Sequence, residues 1–286
     1  MDTSLTVPWT RYIPHRPTAK QLAFLLLDIP EALYGGAAGG GKSDALLMAA
    51  LQYVSVPNYA ALLLRRTYAD LSLPGALMSR AFEWLMPTDA RWKNSEKTWV
   101  FPSGATLTFG YLDSVGSEYR YQSSEFQFIG FDELTQFRES QYRYLFSRLR
   151  RLAGDAVPLR MRSASNPGGI GHEWVRQRLV DRDVDAEERV FIPATLDDNP
   201  YLDRTAYLQS LMQLDPVTRQ QLLQGDWTAR ETGSLFKREW FGIVDELPVS
   251  MNRSVRFWDL AATPLRAGID PDYTVGIRLD YGTDGL

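Results

Sequence analysis

The chain has 286 residues, is 44% hydrophobic and carries 31 Lys and Arg against 35 Asp and Glu, a formal charge of -4 that argues against a basic nucleic-acid coat protein but leaves room for a local basic groove. The absence of cysteine excludes a disulfide framework and thiolate metal sites, and two histidines, His15 and His172, argue against a zinc site. There is no apolar run of about 18 residues and no signal-peptide pattern at the N-terminus, so the expectation is a soluble protein of a reducing cytoplasm without a membrane partner.

Helical periodicity covers residues 18–27, with Gln21 near its start. A glutamine amide presents a donor and an acceptor that match the N6 and N7 edge of adenine, and a plain solvent-facing helix position is the competing reading. Residues 32–34 form a short apolar strand that runs into G-x-x-x-x-G-K-S from Gly36 to Gly41, Lys42 and Ser43 and then into a helix over 42–53. Strand, bare turn, lysine, hydroxyl and helix make up the P-loop context. The amides around Gly36, Gly39, Gly40 and Gly41 are expected to cradle ATP phosphates, with Lys42 on the β- and γ-phosphates and Ser43 on Mg²⁺.

Next come a strand at 60–64, a helix at 73–85 and, over 97–112, an alternating stretch around Pro-Ser-Gly that predicts a β-hairpin beside the main sheet. The run "FQFIGFDEL" then ends a buried strand in Asp132 and Glu133. Asp132 is the expected Mg²⁺ carboxylate and Glu133 the base for the attacking water, since neither acid has a reason to close an apolar strand except as a turn. A glutamate directly after the metal aspartate also marks the P-loop class with an additional strand between the two motifs, assigned here to 60–64. A helix over 140–152 follows, then "LRMRSASNPGG", which brings Ser165 and Asn166 to the same rim as a hydrolysis sensor or serves only as a turn. Arg65 and Arg66 end a strand, Arg120 precedes the acidic strand, and Arg148, Arg150 and Arg151 are placed on the helix after it. Arg120, or an arginine of that helix, is the candidate finger for a neighbouring site.

A helix at 172–180, a strand at 190–192 and two helices at 205–214 and 216–223 complete the alternation. The fold class is therefore α/β, a mostly parallel sheet with helices on both faces. A polar stretch follows at 229–233, a domain boundary is expected near residues 230–250, and two apolar strands come after it. Asp259 is placed inside the first, where a lone carboxylate is costly without a partner, and Asp272 faces it across a hairpin.

Gln21, the glycine-rich loop, "RRT", "FDELTQF", "SRLR", "SNPGG", "DDNPYL" and "LLQGDW" occur in an order that resembles the large terminase subunit of tailed bacteriophages, over nearly the whole chain. "RFWDLAAT" followed by "DYTVG" resembles the opening of that family's ribonuclease-H-like nuclease domain. The resemblance implies an ATPase domain at 1–235 with a helical subdomain at about 200–228, a linker at 236–250, and an incomplete nuclease domain at 251–286. It also implies an ATP- and Mg²⁺-dependent motor that docks on a portal ring, works with a small terminase subunit in a homo-oligomeric ring, and pumps double-stranded DNA into a procapsid in the infected host's cytoplasm. Asp259 becomes the first nuclease metal ligand and Asp272 a second candidate, for Mn²⁺ or Mg²⁺, with no DNA cleavage expected from so short a segment. The phosphate loop departs from some relatives in having no arginine. The alternatives are a P-loop helicase or other nucleic-acid ATPase, and a nucleotide-gated assembly module without useful turnover. Glu133 speaks against the last, because a binding module needs no base.

Overall fold

The computed structural model describes residues 9–152, 157–181, 188–229, 240, 251–260 and 274–282. The chain divides into two compact units, Met1–Ala229 and Arg230–Leu286.

In the first unit, helix α1 (Ala19–Leu26) starts at a Thr18 cap and leads into β1 (Glu31–Gly36), the phosphate loop and α2 (Lys42–Leu51). Strand β2 (Ala60–Arg65) is followed by α3 (Tyr68–Ser72) and α4 (Leu77–Leu85). The continuous helix expected at 73–85 begins only at Leu77, because Pro74 cannot donate to a helical ladder and Gly75 adopts a positive φ of 75°. Strands β3 (Arg91–Lys93), β4 (Thr98–Val100) and β5 (Thr106–Tyr111) come next, then β6 (Phe128–Asp132), α5 (Glu139–Phe146) and β7 (Arg160–Ser165). A short helix α6 (His172–Val175) continues as a π turn before β8 (Arg189–Ala194), and α7 (Arg204–Leu211) and α8 (Pro216–Gln224) close the unit.

The eight strands form one sheet in the order β3-β4-β5-β2-β6-β7-β1-β8. From β5 to β8 every neighbouring pair is parallel, while β4 pairs antiparallel with both β5 and β3. The hairpin expected at 97–112 is thus β4 and β5, and it extends the edge of the main sheet with a third strand, β3. The additional strand is corrected by this order: the one lying between β1 and β6 is β7, not 60–64, which sits on the far side of β6. Chain order puts residues 60–64 between the two motifs, but hydrogen bonding puts β7 there.

Side chains alternate across the sheet. Ala32, Tyr34, Ala61 and Leu63 join α2 residues such as Leu46 and Met48 in one buried cluster. Leu33, Leu62, Leu64, Ile129 and Phe131 join Tyr142, Leu145 and Val175 in a second. Burial on both faces explains why β1, β6 and β7 are buried at every position. At the opposite end from the phosphate loop, Glu31 holds Arg178 and Arg189 and accepts a hydrogen bond from Tyr142, so the only acid in β1 is buried with partners.

Helix α5 ends at Phe146, six residues before the expected end, and Arg148, Arg150 and Arg151 are not helical. The chain turns back there: Phe126 N–H donates to Arg148 O and Arg150 N–H to Phe126 O. In the second unit, β9 (Met251–Asp259) and β10 (Val275–Gly282) form an antiparallel pair, with Asp259 opposite Val275. Asp259 is the last residue of its strand and is exposed, so the cost of a buried carboxylate does not arise. Asp272 lies outside the described residues.

Candidate active site

In a parallel sheet the C-terminal strand ends share one rim, and loops leaving that rim converge. Here β1, β6 and β7 deliver the phosphate loop, Asp132 and Glu133, and Ser165 and Asn166 to it. A cavity of about 360 Å³ lies between them, lined by Ala38 to Ser43, Arg80, Glu133, Asn166, Asn199 and Leu202.

The loop has no side chains to hold its own shape, so neighbours hold its carbonyls. Lys42 Nζ donates to Ala37 O (2.5 Å), Asn199 Nδ2 to Gly39 O (2.7 Å), Tyr34 Oη to Gly40 O (3.1 Å) and Gln21 Nε2 to Gly41 O (2.8 Å). In a trans peptide the N–H points opposite to the preceding C=O. Fixing the carbonyls of residues 39 to 41 therefore turns the amides of Gly40, Gly41 and Lys42 away from these partners, along the cavity they line. Gly36 is required where the loop begins: its φ is 128° and a Cβ there would stand 2.5 Å from Ala194 O.

Lys42 is buried, and burial lowers its pKa from 10.5 to about 8 against the opposing pull of Glu133 and Asp132. Ser43 Oγ donates to Asp132 Oδ1 (3.0 Å), and Arg65 Nε stands 3.1 Å from Asp132 Oδ2. Burial still pushes the Asp132 carboxyl above the usual range, with Arg65 and Ser43 opposing. Glu133 is raised as well, first by burial and then by Asp132 beside it. Its backbone is left-handed, φ 56° and ψ 57°, a conformation that costs a non-glycine residue roughly 1–2 kcal/mol. The turn is secured from β7, where Ser165 Oγ accepts from Thr135 N–H at 3.1 Å. Asn166 lines the cavity, and its Oδ1 is buried with no hydrogen-bond partner among the described residues.

The structure brings Gly39, Gly40, Gly41, Lys42, Ser43, Asp132, Glu133 and Asn166 together. Gln21 reaches the loop differently from expectation, because both ends of its amide are engaged by protein: Oε1 accepts from Thr18 N–H (2.9 Å) and Nε2 donates to Gly41 O. Arg120 does not line the cavity. It is half exposed, paired with Asp113 at 3.1 Å and stacked 4.3 Å over Tyr111. Arg80, Asn199 and Tyr34 were not legible as site residues: each lies on an element with its own structural reading, and only folding carries it to the loop. Among the described residues no group of three or more His, Cys, Asp or Glu side chains is placed to hold a metal by itself.

A family model described as terminase large subunit, T4likevirus-type, N-terminal, matches residues 33–243. The large terminase of a thermophilic bacteriophage, in complex with ATP-γ-S, superposes with a TM-score of 0.59 at 16% identity, covering 74% of this chain and 53% of that one. The large terminase ATPase domain of Thermus phage P74-26 gives 0.53 at 12% identity, covering 78% and 100%. The HK97 bacteriophage large terminase gives 0.55 at 13%, covering 96% and 62%. At these identities the structural likeness establishes the fold, and the chain spans about half the length of the thermophilic phage protein in its ATP-γ-S complex. No curated protein matches significantly.

Proposed function

The chain belongs to the terminase large-subunit family through its N-terminal domain, and from that premise we propose that it is an ATP-hydrolysing motor subunit that moves double-stranded DNA into a viral procapsid. One observation carries the reading: a buried lysine, a hydroxyl bonded to a strand-end aspartate, and a second, raised glutamate surround one cavity beneath a bare loop.

The loop amides and Lys42 bind the phosphates and fix their orientation. Ser43 and Asp132 are hard oxygen donors already in contact, which fits Mg²⁺; when bound, the ion offsets charge on the transferring phosphate. Glu133 orients the attacking water and accepts its proton at a carboxylate oxygen, and Asn166, on the wall of the same cavity, acts as the polar group that senses the terminal phosphate.

Arg120 lies outside this cavity and is exposed, which supports a role toward a neighbouring subunit's site in a ring. In this reading the partners are duplex DNA, a portal ring and a small terminase subunit, in the infected host's cytoplasm. The β9–β10 pair is the opening of a nuclease domain, with Asp259 as a candidate ligand for Mg²⁺ or Mn²⁺. Phosphate release by the purified chain, measured with and without linear duplex DNA, tests the proposal. Mg²⁺-dependent release that rises with duplex supports it. Tight ATP binding with no release under either condition would point instead to an assembly module.

A further inference from the structure

The phosphate loop supplies one cation, Lys42, and has no arginine between Gly36 and Ser43. A Mg²⁺-bound triphosphate keeps excess negative charge, and charge shifts onto its terminal oxygens as the bond to the γ-phosphorus breaks. A second cation is already present at the cavity. Arg80 comes from α4, yet it lines the same cavity as Lys42, Ser43, Glu133 and Asn166.

Its guanidinium donates to Asp44, the residue after Ser43, and to Gly75 O at 3.3 Å. Asp44 also has His15 Nε2 at 3.4 Å from its other oxygen. The Arg80 and Asp44 side chains are 28% and 21% exposed, so water reaches the pair and the pair contributes little to stability. Its partner Asp44 directly follows Ser43, whose hydroxyl bonds Asp132, and Arg80 lines the cavity together with Ser43 and Glu133, which puts it at the Ser43–Asp132 end where the terminal phosphate would meet Glu133. A guanidinium at this position keeps its charge and offers several donors in a fixed fork.

We propose that Arg80 is a phosphate ligand acting within its own subunit: it is held on Asp44 until a triphosphate enters, then transfers to an oxygen of the terminal phosphate. The inference rests on the ATPase reading and adds to it a cation that distinguishes triphosphate from diphosphate. It is separate from the exposed Arg120, whose target is a neighbouring site.

The test is titration of the full chain with ATP-γ-S and with ADP, each with Mg²⁺, in wild type, Arg80→Gln, Arg80→Lys, Asp44→Asn and Lys42→Ala. Arg80→Gln should weaken ATP-γ-S by roughly tenfold or more and ADP by less than about threefold. Asp44→Asn should bind ATP-γ-S at least as well as wild type, since it weakens the hold on Arg80 and keeps a neutral partner for it. Arg80→Lys keeps the charge without the fork; it should lose part of the ATP-γ-S affinity, and it guards against a folding defect in Arg80→Gln. Equal losses for both nucleotides in Arg80→Gln, reproduced by Asp44→Asn, would overturn the proposal and leave Arg80 as a brace between α4 and α2. Wild-type affinities in both Arg80 variants would overturn it too. If wild type binds neither nucleotide, or Lys42→Ala binds both normally, the ATPase reading itself fails and the Arg80 inference falls with it.

Discussion

Replacing Lys42 by methionine should abolish nucleotide binding and at the same time make the nucleotide-free protein more stable. Lys42 Nζ is buried with one carbonyl partner, Ala37 O, and its pKa falls from 10.5 to about 8. At about 1.4 kcal/mol per pH unit, holding the charged form in place costs at most about 3.5 kcal/mol relative to the unfolded chain. Methionine fills nearly the same volume without charge. Attraction to Asp132 and Glu133 is already contained in that lowered value, and the lost bond to Ala37 O offsets part of the gain, so a net stabilisation of roughly 1–3 kcal/mol is expected. For a domain of this size that is a Tm rise of roughly 3–9 °C. The sign with pH follows from the lowered value: between about pH 8 and 10.5 the unfolded chain keeps a proton that the folded chain has released, so wild type gains stability as pH rises. The gap between variant and wild type should therefore be full below about pH 8 and close toward pH 10.5. Thermal melting across that range, with and without ATP-γ-S, measures both effects. A variant that melts below wild type at neutral pH would refute the reasoning, since attraction to the two carboxylates would then outweigh desolvation.

Glu133→Gln should retain ATP-γ-S binding while turnover falls by roughly 10²-fold or more, measured as phosphate release; near-normal hydrolysis would reduce Glu133 to a turn residue. Gly36→Ala should destabilise the chain by roughly 2–4 kcal/mol in urea unfolding, because its φ of 128° and the Ala194 carbonyl leave no place for a Cβ. Gln21→Ala should weaken ATP and GTP alike, since the amide braces Thr18 and Gly41; a selective loss of ATP over GTP would instead restore direct reading of adenine. Mixing Lys42→Ala with Arg120→Ala subunits, each inactive alone, should recover part of a rate worth roughly 10³-fold if Arg120 acts across subunits; no recovery at any ratio would remove Arg120 from that role.

Local chemistry was legible wherever the responsible residues are neighbours in the chain. The loop from Gly36 to Ser43 and the Asp132–Glu133 pair carry their meaning in short spacings, because a phosphate turn and a strand-end acid are local features. Apolar runs bounded by breakers located β1, β2 and β6 to within a few residues, since burial on both faces demands near-continuous hydrophobicity. Strand order was not local. That β7 and not β2 separates β1 from β6 depends on which backbone edges pair, and periodicity carries no information about that. The early end of α5 has the same origin, because the pairing of Phe126 with Arg148 and Arg150 outweighs the helical preference of the residues after Phe146. The same holds for the side chains that complete the site. Arg80 on α4 and Asn199 after β8 each look like ordinary helix or turn residues, and the contact of Gln21 with the Gly41 carbonyl is no more visible in the sequence. Their chemistry comes from packing that brings distant segments to one rim, where a loop stripped of side chains depends on other segments for its hydrogen bonds.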